Sequence, residues 1–139
     1  MNVHFSIIGV LLAAVSAMLI GTIWYSPKVF GKAWMKIIGL SDKDMKKNMG
    51  AAMVTLIIVS LLTAYVMSIF ITYTHDYVGG SWISAGMSTS ILAWAGFALT
   101  AIFAHGVFEP RDKKVLYINA GNRLATLLAM GLILGLLMK

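Results

Sequence analysis

The chain has 139 residues, of which 60% are hydrophobic and only 12% are charged, and its formal net charge is +6. A soluble domain carries about a quarter charged residues, so this composition indicates an integral membrane protein. The absence of cysteine excludes a disulfide framework, a thiolate metal site and a cysteine nucleophile. The positive charge lies in the connections between apolar runs and therefore requires no nucleic-acid partner.

Four runs of the sequence contain no Lys, Arg, Asp or Glu, namely residues 1–27, 48–75, 77–108 and 124–138. About 20 apolar residues cross roughly 30 Å of hydrocarbon, and the last run reaches this length only with the preceding "VLYINAGNR". We therefore predict an all-α polytopic membrane protein, a single domain over residues 1–139 that forms a four-transmembrane-helix bundle. The predicted spans are about 3–25, 49–73, 80–107 and 116–138.

The first run has one feature of a signal peptide, the small residues of "VSA" at 15–17. However, "MNVHF" carries no Lys or Arg, and the apolar run continues well past that point. We expect this run to be a retained transmembrane helix.

Basic residues indicate the orientation of the spans. The first connection holds six lysines and the third holds Arg111, Lys113 and Lys114, whereas "THDYVGG" (74–80) holds no Lys or Arg. Connections rich in Lys and Arg face the cytoplasm. We predict that the first and third connections are cytoplasmic and that both termini lie outside.

A basic amphipathic helix is predicted over residues 28–38. At about 100° per residue its lysines fall on one side and its apolar residues on the opposite half, as in a helix that lies at the membrane interface. In this interpretation Lys28, Lys32 and Lys36 contact anionic headgroups, and Phe30 and Trp34 lie at the acyl boundary. An anchor that sets the depth of the protein is the simpler role; a specific lipid or partner site is the alternative.

Residues of the first connection also predict helix ends. Pro27 suits the first turn of the interfacial helix and Gly39 its end. Ser41, followed three residues later by Asp44, predicts an N-cap at the start of the second span.

Small residues recur at every fourth position of each span, which allows helix backbones to approach closely and favours a compact bundle. An oligomer interface on one of these stripes is an alternative use. The stripes are Gly9, Ala13, Ala17 and Gly21; Ser60, Ala64, Ser68 and Thr72; Gly96, Thr100 and Ala104; and Gly121, Ala125 and Ala129, with Gly131 and Gly135.

Polar residues gather near the predicted cytoplasmic ends of the spans. Arg123 lies roughly 6 Å inside the hydrocarbon, where its side chain either reaches back to the headgroups or pairs with Glu109 in a polar site. Such a site would take a small solute, a lipid headgroup or a proton. Its candidate residues are Tyr25, Ser26, His105, Glu109, Asn119, Asn122 and Arg123.

Two stretches carry a family resemblance. "GTIWYSPKVFGKAW" (21–34) and "HGVFEPRDKKVLYINAGNRLATLLAMGLILGLL" (105–137) resemble a bacterial family of small four-helix membrane proteins catalogued as domain of unknown function 1761. The similar patterns are "G-x-x-WYSP-x-x-FG-x-x-W" and "FE-x-R…IN-x-G". The resemblance implies four helices in a bacterial inner membrane and supplies no reaction. Where the family commonly has an aromatic residue, this chain has Asn122 and Arg123.

Other chemistry has little support. His4, His75 and Asp76, on the predicted outer side, are weak candidates for a transition-metal site, but their spacing matches no metal motif, and we predict neither a metal nor a cofactor. No serine has a nucleophile context and no phosphate-binding loop occurs.

Three function classes remain. We favour a structural or accessory membrane protein that acts through lipid or protein partners. The alternative is a small oligomeric transporter or channel with a cytoplasm-facing polar site, although no Asp or Glu lies in mid-membrane to drive proton exchange. A membrane enzyme ranks third because no catalytic motif is found.

Overall fold

A computed structural model of the chain describes residues 6–138, and this part of the chain is helical with no β-strand. The predicted all-α class is confirmed. A π-helical segment (Trp94–Leu99) joins two α-helices, so that Trp82–Gly106 forms one continuous rod. The helices are α1 (Ile7–Trp24), α2 (Gly31–Ile38), α3 (Asp42–Val78), α4 (Trp82–Ala93), α5 (Thr100–Gly106) and α6 (Lys114–Leu137).

Four helices are long and apolar enough to cross a membrane: α1, α3, the rod Trp82–Gly106, and α6. The predicted spans correspond to these four, as expected of a membrane protein. The main difference is α3, which has 37 residues and extends at both ends beyond the predicted 49–73. The predicted start of the first span, residues 3–5, lies outside the described residues. Helix α1 begins after Ser6, whose hydroxyl caps it by accepting a hydrogen bond from Gly9 N.

The start of α3 follows from its cap. The Ser41 hydroxyl accepts a hydrogen bond from the Asp44 backbone N–H, and the Asp44 carboxylate accepts one from the Ser41 backbone N–H, both at 3.2 Å. This capping box, predicted from the sequence, is confirmed. Because it satisfies the first free N–H groups, the helix begins at Asp42 and the basic segment that follows is already helical.

The helix predicted at 28–38 begins later, at Gly31, and ends at Gly39, whose φ of 72° is the left-handed conformation expected of a helix C-cap. Pro27 therefore lies in the preceding turn and not in the first helical turn. This turn is tight, since a Cβ added to Gly31 would lie 2.1 Å from the Tyr25 carbonyl oxygen. Only glycine fits at this position.

Helix α6 occupies the centre of the fold. It contacts α1, α2, α3 and α4. In its most apolar stretch of 18 residues 44% of the residues are buried, compared with 11–28% in the corresponding stretches of the other three spans. Its residues Met130 and Leu134 are fully buried, in the same hydrophobic core as Ala13 of α1 and Ile71 of α3. The side chains of α6 therefore face different helices on different sides.

The backbones of α4 and α6 touch directly. A Cβ added to Gly86 would lie 2.1 Å from the Gly131 carbonyl oxygen. Beside this crossing, the Ser90 hydroxyl donates to the carbonyl oxygen of Leu127 at 2.7 Å. Close backbone approach and an interhelical hydrogen bond are the forces that associate helices in lipid.

The small-residue stripes of α1 and α3 agree with the structure, that of α6 agrees in part, and that of the rod Trp82–Gly106 does not. Gly9, Ala13 and Ala17 of α1 and all four predicted positions of α3 are buried. On α6 Gly131 and Gly135 are buried, whereas Gly121, Ala125 and Ala129 are only half-buried. The third stripe, Gly96, Thr100 and Ala104, is exposed, because the π-helical segment adds a residue to its turn and rotates the following side chains by about 100°.

We expect Gly86→Ala to lower the free energy of unfolding by about 1–3 kcal/mol, because the added methyl group overpacks a backbone contact. Gly96→Ala is the matched control, since nothing lies within 4 Å of the position of its Cβ, and it should not destabilise the protein. Unfolding of the purified protein by titration with a denaturing detergent measures both variants. Equal stability of the two variants would contradict the proposed crossing.

Candidate functional site

The end of α1, the residue that follows it and α2 bind α6 through three hydrogen bonds. The Trp24 indole N–H donates to the Ile118 carbonyl oxygen at 3.0 Å. The Tyr25 hydroxyl and the Trp34 indole N–H both donate to Asn119 Oδ1, at 2.9 Å and 3.2 Å. One amide oxygen on α6 therefore holds both the end of α1 and the middle of α2.

Aromatic rings reinforce this junction. The rings of Tyr25 and Trp34 lie 5.0 Å apart, and those of Trp24 and Phe30 lie 4.9 Å apart. Trp34 is half-buried and turned toward α6, whereas the sequence interpretation placed it at the acyl boundary. The reason is that Asn119 offers its indole N–H a polar partner, which a buried tryptophan usually finds.

The other residues of the turn and of α2 that were predicted to contact lipid are exposed. Lys28, Lys32 and Lys36 are exposed at the surface, and Phe30 is 38% exposed. The turn and α2 thus present one polar face toward α6 and a basic face away from it.

Arg123 lines a groove between α3 and the rod Trp82–Gly106. The groove has a volume of about 570 Å³ and is lined mainly by apolar side chains such as Leu62, Val66 and Leu92. Arg123 is exposed, and no hydrogen bond or ion pair joins it to residues 6–138. Its charge is therefore uncompensated by the protein at this position.

The N-terminal part of α3 is not covered by the other helices. Residues 46–59 of α3 are all exposed, and Ser60 is its first buried residue. Phe97 in the π-helical segment, which lines the groove, is also exposed.

The predicted seven-residue cluster separates into parts. Tyr25 and Asn119 are hydrogen-bonded. Glu109 lies beside Arg111, with 3.9 Å between carboxylate and guanidinium nitrogen, and both are half-exposed. The predicted pair of Glu109 with Arg123 is not formed.

The remaining predicted members have different surroundings. The Ser26 carbonyl oxygen accepts hydrogen bonds within the turn, from Val29 N at 3.1 Å and Gly31 N at 2.9 Å. His105 is exposed on the last turn of α5. Asn122 is buried, and its side-chain nitrogen has no hydrogen-bond partner among residues 6–138.

Among the polar contacts that the sequence does not predict are those of Lys113 and Trp94. The Lys113 ammonium donates to the carbonyl oxygens of Gly106, Val107 and Glu109 at 2.9–3.1 Å, and so caps the end of α5. The Trp94 indole N–H donates to the Ala120 carbonyl oxygen at 2.9 Å. A basic residue soon after a helix and a tryptophan within a span are the signals for these contacts.

On the opposite side, the His75 ring stacks on Trp82 with 3.7 Å between centroids and lies 3.4 Å from the Asp76 carboxylate. Within the described range there is no group of three His, Cys, Asp or Glu residues that would hold a metal ion. The third weak candidate, His4, lies outside the described residues.

Comparisons with known proteins give one match. A family model described as "Protein of unknown function (DUF1761)" matches residues 8–135. No curated protein and no solved structure matches the chain. The matched range contains the whole Tyr25–Trp34–Asn119 junction.

We expect Asn119→Leu to lower the free energy of unfolding by about 1–3 kcal/mol, because it leaves the Tyr25 hydroxyl and the Trp34 indole N–H without their acceptor. Asn48→Leu, at an exposed position of α3, makes the same chemical change and should be nearly neutral. Denaturing-detergent titration compares them. If Asn119→Leu were as stable as the control, the junction would not hold α2 in place.

Proposed function

This chain belongs to the DUF1761 family of proteins of unknown function, and we propose that it is an accessory protein of the bacterial cytoplasmic membrane that acts through anionic lipid. In this proposal it is a structural component and not a catalyst. The observation that carries the proposal is the junction at Asn119, which holds α2 against α6 and leaves the lysines of α2 exposed.

The junction favours an anchoring role over a solute site. Asn119 Oδ1 already accepts two hydrogen bonds, and the Tyr25 hydroxyl and Trp34 indole N–H are its donors. A carbonyl oxygen has two lone pairs, so this atom is fully used within the protein. Residues that satisfy one another are suited to positioning a helix.

We propose that α2 lies at the membrane interface. Its lysines, exposed on the side away from the Trp34 contact, would lie among anionic headgroups, which attract basic segments near the surface. Val29 and Phe30, 49% and 38% exposed, would enter the acyl boundary. Anchoring at both α2 and α6 would then fix the depth of the protein.

The proposed orientation places the first and third connections in the cytoplasm and both termini outside. Helix α2 belongs to the first connection and contacts α6, which begins directly after the third connection. This contact supports a common side for the two connections. Together they carry nine Lys and Arg residues, and "THDYVGG" carries none; Lys and Arg mark the cytoplasmic side. The cytoplasmic leaflet is also the one whose anionic lipids attract basic segments.

The alternative, a small oligomeric transporter or channel, is less well supported. A path for a hydrophilic solute needs unsatisfied polar groups along its wall. The groove beside Arg123 is instead lined mainly by apolar side chains, which favours an apolar occupant.

We expect the triple charge reversal Lys28→Glu, Lys32→Glu and Lys36→Glu to remove most of the stabilisation by anionic lipid. In nanodiscs at low salt, the unfolding midpoint of the wild type should be several degrees higher with phosphatidylglycerol than with phosphatidylcholine, because the lysines attract anionic headgroups. In the variant this difference between the two lipids should be much smaller.

The matched control reverses the three lysines at the start of α3, Lys43, Lys46 and Lys47, which changes the net charge equally. This control should keep most of the lipid dependence. A similar loss in both triple variants would mean that net charge, and not the position of α2, determines the effect.

The proposed orientation predicts a labelling pattern in intact cells. Because the chain contains no cysteine, single cysteines report position directly. Tyr77→Cys should react with a membrane-impermeant maleimide from outside, and Lys46→Cys should react only after the cells are opened. The reverse pattern would invert the orientation.

A further inference from the structure

Arg123 combines an uncompensated charge with an apolar groove. We propose that this groove, between α3 and the rod Trp82–Gly106, binds one anionic phospholipid, with an acyl chain along the groove and the phosphate group at Arg123. The proposal rests on the lipid-dependent role proposed above, but it concerns a single bound molecule and not the basic face of α2.

The dimensions of the groove suit an acyl chain. Along α3 its wall extends from Val59 to Thr74, which is about 22 Å at 1.5 Å per residue. This exceeds half of the roughly 30 Å hydrocarbon thickness, and is therefore long enough for the chain of a lipid in one leaflet. Its volume of about 570 Å³ lies within the usual range of ligand pockets.

The lining of the groove requires an apolar occupant over most of its length. The Thr63 hydroxyl donates to the Val59 carbonyl oxygen at 2.8 Å, and the hydroxyls of Thr74 and Thr89 are hydrogen-bonded to each other at 2.9 Å. These hydroxyl groups already have partners within the protein. A hydrocarbon chain can cover them without removing a hydrogen bond.

The charged end requires an anion. Arg123 lies nine residues after Lys114, about 13 Å along α6, and side chains of a helix point back toward its N-terminus. An arginine so placed reaches toward the headgroups, where a phosphate can accept two parallel hydrogen bonds from it.

A second copy of the chain is a poorer partner for this charge. The chain has five acidic residues, and all lie in connections or near the ends of helices. A neighbouring copy would have no carboxylate to place beside Arg123 at its depth. These residues are Asp42, Asp44, Asp76, Glu109 and Asp112.

The test titrates the delipidated full chain with phosphatidylglycerol or with phosphatidylcholine of the same acyl chains, and counts bound lipids by native mass spectrometry. The wild type should bind one phosphatidylglycerol more tightly than phosphatidylcholine. Arg123→Gln should weaken phosphatidylglycerol binding roughly tenfold, the effect of losing one charge-assisted hydrogen bond, and should leave phosphatidylcholine unchanged. Arg123→Lys should retain part of the preference.

A second variant tests the acyl-chain part of the site without touching the charge. Val66→Trp places a large ring in the groove and should reduce the affinity for both lipids. Val54→Trp is its matched control, an exposed position on the same helix that does not line the groove, and it should bind lipid as the wild type does.

Three results would overturn the proposal. The first is equal binding of phosphatidylglycerol by the wild type and Arg123→Gln. The second is tighter binding of palmitate, which would identify a free fatty acid as the occupant. The third is a lipid-free dimer that Val66→Trp dissociates, since a second copy would then fill the groove. If the triple variant of Lys28, Lys32 and Lys36 kept the full lipid dependence of the unfolding midpoint, the interfacial role would be refuted and this site would stay intact.

Discussion

The direct contact between the backbones of α4 and α6, where Gly86 meets Gly131, is the constraint on which the other contacts depend. Lipid provides no hydrophobic drive for helices to associate, so close packing and interhelical hydrogen bonds must do so. At this crossing the Ser90 hydroxyl supplies such a bond to Leu127. With α4 fixed on one side of α6, α1 and α3 occupy the remaining sides, and each polar residue of α6 acquires a particular neighbour.

Asn119 and Arg123 show the effect of that arrangement. They are four residues apart, on nearly the same side of one helix, yet Asn119 meets the end of α1 and α2, whereas Arg123 meets the space that α3 leaves open. The first is satisfied within the protein and rigidifies a junction. The second carries a charge that costs free energy in hydrocarbon unless an anion or water accompanies it.

Much of the fold is predictable because its signals are local. Long apolar runs predict the four spans, Ser41 and Asp44 predict the start of α3, and the small-residue stripe of α1 predicts its packing face. The π-helical segment has no comparable signal, and it moves the third stripe to the exposed side. The site is only half predictable, because spacing along α6 shows which residues share a face, whereas the position of α3 decides which of them are covered.

The length of α3 ties the groove to the bilayer itself. With 37 residues α3 is about 55 Å long, and α6 with 24 residues is about 36 Å long. A hydrophobic stretch longer than the surrounding hydrocarbon accommodates the mismatch by tilting, and the lysines at one end of α3 and Asp76 near the other suit polar surroundings at both ends. Because α3 forms one wall of the groove beside Arg123, any tilt of α3 relative to α6 would change the width of that groove.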